Sequence, residues 1–331
     1  MKIAINGFGR IGRAAAKILF NKLELELVAI NDLTDNKTLA HLLKYDSVYG
    51  IWDHQIDFDD QSMTIDGKKV AVFAEKDPAN LPWRDLGIDV VIESTGHFLD
   101  QESCQAHIEA GAKKVVISAP AKDDQTKTYV LGVNEKNYAG EIIISNASCT
   151  TNCIAPIMKV LEDRLGVAKS MMTTVHSYTA DQVLVDGPHK DLRRARGAAL
   201  NIVPTTTGAA KATALTIPSL KDHFDGLSIR VPNPVVSLSD ITAVIKKRTS
   251  VEQINSILKD AATHELKDIL AYSTEELVSS DLRQNPHSAI VDSKLTQVID
   301  GDLIKVIAWY DNEYGYSCRL VEMAEYIGRS K

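Results

Sequence analysis

The sequence has few cysteines and no long apolar run. Four cysteines in 331 residues are too few for the disulfide framework of a small secreted domain, which indicates a reducing, cytoplasmic setting. No apolar run reaches the ~18 residues of a membrane span, so no membrane association is expected. The first residues, MKIAINGFG, begin a strand pattern at once, which predicts that there is no signal peptide.

An excess of basic charge is also absent. Lys and Arg number 37 against 44 Asp and Glu, which gives a formal net charge of −7. Proteins that bind nucleic acid usually carry a basic face, so nucleic acid is not an expected partner. One basic segment, KDLRRARG at 190–197, needs a separate explanation. It is either a solvated surface, a subunit contact or, in part, an anion site, and the residues alone leave these alternatives open.

The length favours two domains. In the first half, apolar strand-like runs alternate with helical patterns, and this alternation predicts βαβ units. After about residue 166 the strands become longer and some alternate in polarity. The expected fold class is α/β, with a Rossmann-type doubly wound parallel sheet followed by an α+β domain whose sheet is mainly antiparallel or mixed.

A glycine motif stands at the end of the first predicted strand. GFGRIG at 7–12 has the pattern G-x-G-x-x-G, formed by Gly7, Gly9 and Gly12. The next strand ends at Asp32, the spacing of a dinucleotide-binding unit. Gly7 permits a tight turn, Gly9 lets a pyrophosphate approach the backbone, and Gly12 lets helix and strand pack closely. A carboxylate at Asp32 favours NAD over NADP, because it repels a 2′-phosphate.

The segment SNASCTTNC at 145–153 joins a strand to a helical pattern. Ser148 is the expected N-cap, which places Cys149 in the first turn, while Pro156 kinks the helix or marks a later start. A helix N-terminus lowers a thiol pKa, yet its ~0.3–1 kcal/mol falls short of the roughly 2.7 kcal/mol needed for two pKa units. A second group, most simply a histidine, is therefore required. Cys153 is expected to be a packed neighbour.

His176 is the candidate among nine histidines. It ends the apolar strand SMMTTVHSYT, where catalytic groups collect, although a structural role is an equal alternative on this evidence. Cys149 and Cys153 lack a second Cys/His cluster with metal-ligand spacing, so no metal site is expected. The segment TTTGAAKAT at 205–213, with Gly208 before a helical stretch, is a candidate anion site. Arg230 ends another strand.

Seven motifs together resemble one known family. They are GFGRIGR, SNASCTTNCIAP, HSYT, LRRARGAA, TTTGAAKA, RVP and WYDNEYGYS. In this order they resemble the phosphorylating glyceraldehyde-3-phosphate dehydrogenases, essentially from end to end. The resemblance implies an NAD-binding Rossmann domain at residues 1–148, with a C-terminal helix at 315–331 packed back on it. Residues 149–314 would form the catalytic and oligomerisation domain.

The resemblance also implies a reaction. Cys149 would attack the aldehyde carbon of D-glyceraldehyde 3-phosphate to give a thiohemiacetal, with His176 as the base. Hydride would pass to NAD, and inorganic phosphate would release 1,3-bisphosphoglycerate from the resulting thioester. The implied roles in substrate and phosphate binding fall on eight residues. The substrate phosphate would bind Thr179 and Arg230 with Asp181 nearby, the attacking phosphate would bind Ser148, Arg194, Thr207 and Gly208, and Thr150 would lie beside the reacting carbon.

On the cofactor side, Asn312 resembles the residue that holds the nicotinamide carboxamide, and Tyr316 would pack near that ring. The implied adenine-side contacts, the last two as weaker matches, are Arg10, Ile11, Asp32, Lys76 and Ser118. Pro188 lies on the loop VDGPHKDLRR and fits the NAD-preferring type. In the family this loop reaches a neighbouring subunit's cofactor, so the resemblance implies a homotetramer and gives the arginine cluster an interface role.

The sequence departs from the family pattern in two places. Ala180 replaces a frequent asparagine, and Asn233 and Val235 stand where threonine and asparagine are common. Neither departure involves Cys149 or His176. Two alternative functions are an erythrose-4-phosphate dehydrogenase and a non-catalytic NAD-binding regulator. The intact TTTGAAKA disfavours the first, because a thioester released by water needs no second phosphate site, and the presence of Cys149 with His176 disfavours the second.

Overall fold

The computed structural model of the protein describes residues 1–330. The chain forms two compact units. Unit 1 comprises Met1–Tyr129, Asn137–Ala147 and the stretch from Ser317 onward, and unit 2 comprises Val130–Lys136 and Ser148–Tyr316. Lys331, the last residue of the predicted C-terminal helix, lies outside the described residues. Among the helices of residues 1–330, none combines the length and the apolar character that crossing a membrane requires.

Unit 1 contains a nine-stranded sheet. Its strands, with the separate pair β3–β4, are β1 (Lys2–Asn6), β2 (Glu26–Asn31), β3 (Tyr45–Asp46), β4 (Gly50–Ile51), β5 (Ile56–Phe58), β6 (Ser62–Ile65), β7 (Lys68–Phe73), β8 (Val90–Glu93), β9 (Lys114–Ile117), β10 (Lys127–Thr128) and β11 (Ile143–Ser145). The order in the sheet is β10-β11-β9-β8-β1-β2-β7-β6-β5. The seven strands from β10 to β7 pair in parallel, and β5–β7 form an antiparallel edge.

Helices connect the parallel strands of unit 1, as a doubly wound sheet requires. They are α1 (Arg10–Phe20), α2 (Asn36–Lys44), α3 (Trp83–Leu86) and α4 (Gln101–Glu109). The central strands β1 and β8 are almost wholly buried, which is typical of strands covered on both faces. The carboxyl ends of β1, β2 and β8 therefore meet at one edge of the sheet, where ligands of such folds bind.

Unit 2 contains an eight-stranded mixed sheet. Its strands are β12 (Val167–Ser177), β13 (Val203–Thr206), β14 (Phe224–Val231), β15 (Ser237–Ile245), β16 (Leu270–Ser273), β17 (Ala289–Asp292), β18 (Gln297–Ile299) and β19 (Leu303–Tyr310). The order is β13-β14-β12-β15-β19-β17-β16, with β18 on β19. The pairs β12–β14 and β16–β17 are parallel, and the others are antiparallel. The expected fold class is therefore confirmed.

Three helices complete unit 2 and a fourth begins there. They are α5 (Cys149–Leu165), α6 (Ala209–Thr216), α7 (Val251–Thr263) and α8 (Tyr314–Arg329). The apolar side chains of α5 form a core with those of α7 and the sheet. Pro156 lies inside α5 without ending it. From Ser317 onward α8 belongs to unit 1, where Lys114 Nζ donates to the carbonyl oxygen of Ile327 at 2.6 Å.

Candidate functional site

A cavity of about 560 Å³ lies at the carboxyl edge of the unit 1 sheet. Four of the predicted cofactor residues line it, namely Gly7, Gly9, Asp32 and Lys76. Arg10, Ile11, Gly12 and Ser118 are not part of the lining. The other lining residues are Asn6, Asn31, Leu33, Glu75, Ser94, Thr95, His97 and Phe98. Sequence reasoning missed these eight, although Asn6 and Asn31 end parallel strands and so carried a usable signal.

The three glycines of the motif differ in what surrounds them. Gly7 has a φ of +90°, and a Cβ there would lie 2.6 Å from the backbone nitrogen of Thr95. A Cβ on Gly12 would lie 2.2 Å from the carbonyl oxygen of Gly7, so only glycine lets the helix pack here. Gly9 has open space on its Cβ side. It leads into the N-terminus of α1, where backbone N–H groups favour phosphate.

Asp32 is held at the rim of this cavity by two backbone groups. Its carboxylate accepts from the backbone N–H of Phe8 at 2.7 Å and from that of Thr34 at 2.9 Å. The fixed carboxylate suits a ribose diol and repels a 2′-phosphate. The side chain of Arg10 instead donates to Asp46 at 2.9 Å. These features fit NAD, because the cavity offers a helix N-terminus, an open glycine and an acidic ribose contact.

A buried polar network lies behind the cavity. One oxygen of Glu93 accepts from Nδ2 of Asn6 at 2.6 Å and lies 3.2 Å from Nε2 of His107, and the other accepts from the backbone N–H and the hydroxyl of Thr95. Trp83 Nε1 donates to Nδ1 of His107 at 3.1 Å, so Nε2 carries the proton and donates to Glu93. The network fixes Asn6 and Thr95, two residues of the cavity lining.

The predicted nucleophile and base meet in unit 2. Ser148 caps α5, with its Oγ accepting from the backbone N–H of Thr151 at 3.1 Å, and Cys149 is the first helical residue. Both features of the predicted helix start are confirmed. Cys149 Sγ lies 3.5 Å from Nε2 of His176, a buried residue near the end of β12. Cys149 as a whole residue is half-buried, while its thiol is buried enough for desolvation to shift its pKa.

The shorter of two contacts at Nδ1 assigns the tautomer of His176. Nδ1 lies 2.7 Å from the carbonyl oxygen of Ser177, which can only accept, so Nδ1 carries the proton. Nε2 therefore presents its lone pair to the thiol. Nη1 of Arg230 donates to the same carbonyl at 3.1 Å and lies 3.0 Å from Nδ1. Because both nitrogens then carry protons, the contact between Nη1 and Nδ1 is not a hydrogen bond. The ring of Tyr310 packs against the imidazole edge to face.

Burial dominates the protonation of the pair. It raises the pKa of the Cys149 thiol, and the charge of Arg230 opposes that rise. Burial also lowers the pKa of His176 to about 3, with Arg230 acting in the same direction. A neutral thiol thus faces a neutral imidazole at pH 7. Burial is the largest influence on the thiol pKa, and the ~0.3–1 kcal/mol of a helix end only opposes it.

The predicted phosphate residues separate into two groups. Arg230 reaches Thr179, with Nη1 and Oγ1 3.4 Å apart, as expected for one anion site. Asp181 lies near enough to Arg230 to interact with its charge, but its hydrogen bond goes to another arginine. Its carboxylate accepts from Nη1 of Arg194 at 2.5 Å, because the 180–194 segment folds back on itself.

Arg194 is held beside the other predicted anion residues. Its Nε donates to Oγ1 of Thr205 at 2.9 Å and its Nη2 to the carbonyl oxygen of Thr206 at 3.2 Å. Thr207 follows directly, and its Oγ1 accepts from the backbone N–H of Ala209 at 3.2 Å. Gly208 is the N-cap of α6. A guanidinium and a helix N-terminus therefore lie together, which is a favourable arrangement for an anion.

The remaining predicted residues of unit 2 have these surroundings. The hydroxyl of Thr150 bonds that of Tyr310 at 2.9 Å. Asn312 is buried, with Oδ1 accepting from Oγ of Ser177 and of Ser237. Tyr316 is buried in α8 and Pro188 is exposed.

The second cysteine of the motif is structural. Cys153 is fully buried and its Sγ donates to Oγ of Ser239 at 3.8 Å, while burial raises its pKa. All four cysteines are free thiols. Within residues 1–330 there is no group of three His, Cys, Asp or Glu side chains suited to a metal. Unit 2 thus places the thiol of Cys149 beside the imidazole of His176 and holds two arginines, Arg194 and Arg230, against threonine side chains.

Both parts of the chain match models of one family. Residues 1–101 match the family described as "Glyceraldehyde 3-phosphate dehydrogenase, NAD binding domain", and residues 148–312 match "Glyceraldehyde 3-phosphate dehydrogenase, C-terminal domain". The chain is 54% identical to a glyceraldehyde-3-phosphate dehydrogenase of Geobacillus stearothermophilus, over 99% of this chain and 98% of the relative. It is 52% identical to glyceraldehyde-3-phosphate dehydrogenase 1 of Bacillus subtilis, with coverage of 99% and 98%. It is 53% identical to a glyceraldehyde-3-phosphate dehydrogenase of Mycobacterium avium, over 100% of this chain and 99% of the relative.

Proposed function

The chain belongs to the glyceraldehyde-3-phosphate dehydrogenase family, and from that membership we propose which residues carry its reaction. The protein is an NAD-dependent oxidoreductase. It oxidises D-glyceraldehyde 3-phosphate with NAD and inorganic phosphate to 1,3-bisphosphoglycerate and NADH. Cys149 is the nucleophile and His176 is the base.

The contact of 3.5 Å between Cys149 Sγ and His176 Nε2 carries this proposal. As Sγ bonds to the aldehyde carbon, the thiol proton passes to Nε2, whose lone pair faces it. His176 then passes this proton to the former carbonyl oxygen, which gives a thiohemiacetal. When bound, NAD supplies the hydride acceptor that turns this adduct into a thioester. His176 removes the hydroxyl proton in that step.

Two phosphate sites serve the two half-reactions, which are the oxidation that forms the thioester and the attack of inorganic phosphate on it. Arg230 and Thr179 bind the phosphate of the substrate, which fixes its aldehyde near the thiol. Ser148, Arg194, Thr207 and Gly208 bind the inorganic phosphate that attacks the thioester. A thioester suits this role because its sulfur stabilises the acyl group less than the oxygen of an ester does. Transfer of the acyl group to phosphate is therefore favourable. Asp181 is a partner of Arg194 in this scheme.

The cofactor is bound by unit 1. Gly7, Gly9 and Gly12 shape the pyrophosphate contact, Asp32 binds the ribose, and Arg10, Ile11, Lys76 and Ser118 contribute the adenine side. In unit 2, Asn312 holds the nicotinamide carboxamide with Tyr316 near the ring. Residues 1–148 with the last helix thus form the cofactor domain, and residues 149–314 form the catalytic domain.

Steady-state formation of NADH from D-glyceraldehyde 3-phosphate, with and without inorganic phosphate, tests the function. We expect turnover to require phosphate, after a first burst of one NADH per Cys149 thiol. Turnover that is independent of phosphate contradicts the proposal and favours hydrolysis of the thioester, as in an erythrose-4-phosphate dehydrogenase. NAD binding with no burst favours a regulator.

We also propose that the enzyme is a homotetramer of the cytoplasm. The segment 184–202 carries large apolar side chains that are more than 70% exposed in the single chain, namely Leu184, Val185, Leu192, Leu200 and Ile202. Exposure on this scale favours a subunit contact, and Pro188 lies in the same loop. Mass measurement by light scattering tests the tetramer, and a mass of one chain contradicts it. Cell fractionation tests the location.

A further inference from the structure

Two buried serines bind the side chain of Asn312. Ser177 Oγ donates to Oδ1 of Asn312 at 2.8 Å, and Ser237 Oγ donates to the same oxygen at 3.0 Å. Ser177 is 0% exposed, Ser237 1% and Asn312 5%. In so dry an environment each hydroxyl proton needs an acceptor, and the amide oxygen is the acceptor that both hydroxyls share.

The bonding pattern fixes the orientation of the amide. The backbone N–H of Ser177 donates to Oγ of Ser237 at 3.1 Å, so the proton of that hydroxyl points elsewhere. Oδ1 of Asn312 at 3.0 Å is a nearer acceptor for it than Oγ of Ser177 at 3.4 Å. A flipped amide would offer N–H groups to both serines and leave their hydroxyl protons without this acceptor. Nδ2 of Asn312 has no hydrogen-bond partner within residues 1–330. The amide therefore presents a donor.

The backbone around Asn312 is held as well. The carboxylate of Asp311 accepts from the backbone N–H groups of Gln284, Glu313 and Tyr314, at 2.8–3.0 Å. On the other side, Ser237 follows Val236, which has a φ of +70°, a conformation that β-branched residues rarely adopt. Nδ2 of Asn233 donates to the carbonyl oxygens of Val235 and Val236, which holds this strained turn and delivers Ser237.

We propose that Ser177 and Ser237 are positioning residues that make Asn312 a hydrogen-bond donor to the oxygen of the nicotinamide carboxamide. The inference rests on the proposed role of Asn312 and adds to it the polarity of the contact. An amide without the two serines can present either its oxygen or its nitrogen to a carboxamide, which itself has both groups. The serines select one pairing and so one orientation of the nicotinamide ring.

Ser177 links this contact to the base. Its hydroxyl binds Asn312, and its carbonyl oxygen accepts from Nδ1 of His176. The variant Ser177→Ala removes only the hydroxyl, so the thiol and the imidazole keep their partners. The effect on the cofactor is thereby separable from an effect on Cys149.

The test compares NAD with thionicotinamide adenine dinucleotide, in which sulfur, a weak acceptor, replaces the carboxamide oxygen. The variants are Ser177→Ala, Ser237→Ala and Asn312→Ala. The control is Ser239→Ala, a buried serine that lies with Ser237 on strand β15. Loss of one such hydrogen bond lowers kcat/KM for NAD roughly 3- to 10-fold. The sulfur penalty is the ratio of kcat/KM with NAD to kcat/KM with the thionicotinamide analogue. In Ser177→Ala and in Ser237→Ala this ratio falls toward its value in Asn312→Ala. Inhibition by ADP-ribose, which lacks the nicotinamide, and alkylation of Cys149 by iodoacetamide stay unchanged.

Several results overturn the inference. A sulfur penalty that the serine variants leave at the wild-type value contradicts the positioning role, as does an equal change in Ser239→Ala. A parallel loss of NAD and ADP-ribose affinity indicates a merely structural role. If Asn312→Ala itself leaves the kinetics with NAD unchanged, the proposed role of Asn312 fails, whereas an effect of Asn312→Ala without one in the serine variants rejects the positioning role alone.

Discussion

Arg230 Nη1 lies 3.0 Å from Nδ1 of His176, while the thiol of Cys149 meets the other ring nitrogen at 3.5 Å. A cation at this distance disfavours a protonated ring. The arginine that we propose binds the substrate phosphate therefore adds to burial in lowering the basicity of His176. A phosphate dianion on Arg230 offsets its charge and makes His176 more basic when the substrate is bound.

The depressed pKa of His176 predicts an acid-sensitive fold. An unfolded histidine titrates near 6.5, and the folded one near 3, so the unfolded state binds more protons between these values. The stabilisation is complete above pH 6.5 and is lost as pH falls toward 3. At pH 5 His176 accounts for a loss of roughly 2 kcal/mol. Urea unfolding at pH 7 and pH 5 measures this loss, which His176→Asn abolishes and the exposed control His264→Asn does not. An unchanged pH dependence in His176→Asn contradicts the prediction.

Replacing the nucleophile separates chemistry from cofactor binding. Cys149→Ser lowers kcat by more than about 10³-fold, because an alcohol is a far weaker nucleophile than a thiolate, while the Kd for NAD is retained. Cys153→Ser is the matched control, since its side chain is buried against Ser239, and it keeps turnover. NADH formation and NAD titration measure both. Faster modification of Cys153 than of Cys149 by iodoacetamide overturns the assignment.

Gly12 and Gly9 of the glycine motif have different expected effects, the first on stability and the second on NAD binding. Gly12→Ala places a methyl 2.2 Å from the carbonyl oxygen of Gly7, so it lowers the free energy of unfolding by about 1–3 kcal/mol. Gly9→Ala meets no atom within 4 Å and leaves that free energy within about 0.5 kcal/mol. Its methyl instead blocks the approach of the pyrophosphate and raises the Kd for NAD roughly tenfold. Urea unfolding and NAD titration distinguish the two, and an unchanged Kd in Gly9→Ala rejects its role.

The second phosphate site predicts a contrast between two neighbouring arginines. Arg194→Ala removes charge-assisted hydrogen bonds and raises the KM for inorganic phosphate roughly 10- to 100-fold. The burst of NADH that precedes phosphate attack keeps its rate. Arg196→Ala is the control, because Arg196 is exposed and pairs with Asp186. Equal KM values for phosphate in both variants contradict the assignment.

Local sequence signals predicted the helix start and the parallel sheet. Ser148 before Cys149 is an N-cap pattern that depends on neighbouring residues alone, and the structure has it. The hairpin β6–β7 carried a comparable signal in its turn, Asp66–Gly67, where both residues have positive φ. The alternation of strands and helices predicts only parallel strands, so the antiparallel edge of the unit 1 sheet was not predicted.

The electrostatics of the thiol could not be predicted in this way. His176 and Arg230 are 54 residues apart and meet because β12 and β14 pair in parallel with these two residues in register. The desolvation that raises the pKa of Cys149 likewise comes from residues remote in sequence. The pairing of Asp181 with Arg194 depends on the path of a long loop, which no periodic pattern encodes. Motif order predicted the candidate site residues, and tertiary contacts set the protonation of Cys149 and His176.

The side-chain amide of Asn233 links the two substitutions, Asn233 and Val235, that form the second departure from the family pattern. Where the pattern has threonine at 233 and asparagine at 235, this chain has asparagine and valine, and the Asn233 amide binds the carbonyl oxygens of 235 and 236. The two positions are thus epistatic. Asn233→Thr alone removes the only amide of the turn, whereas the same change with Val235→Asn supplies one again, so a graft between relatives has to move both residues together.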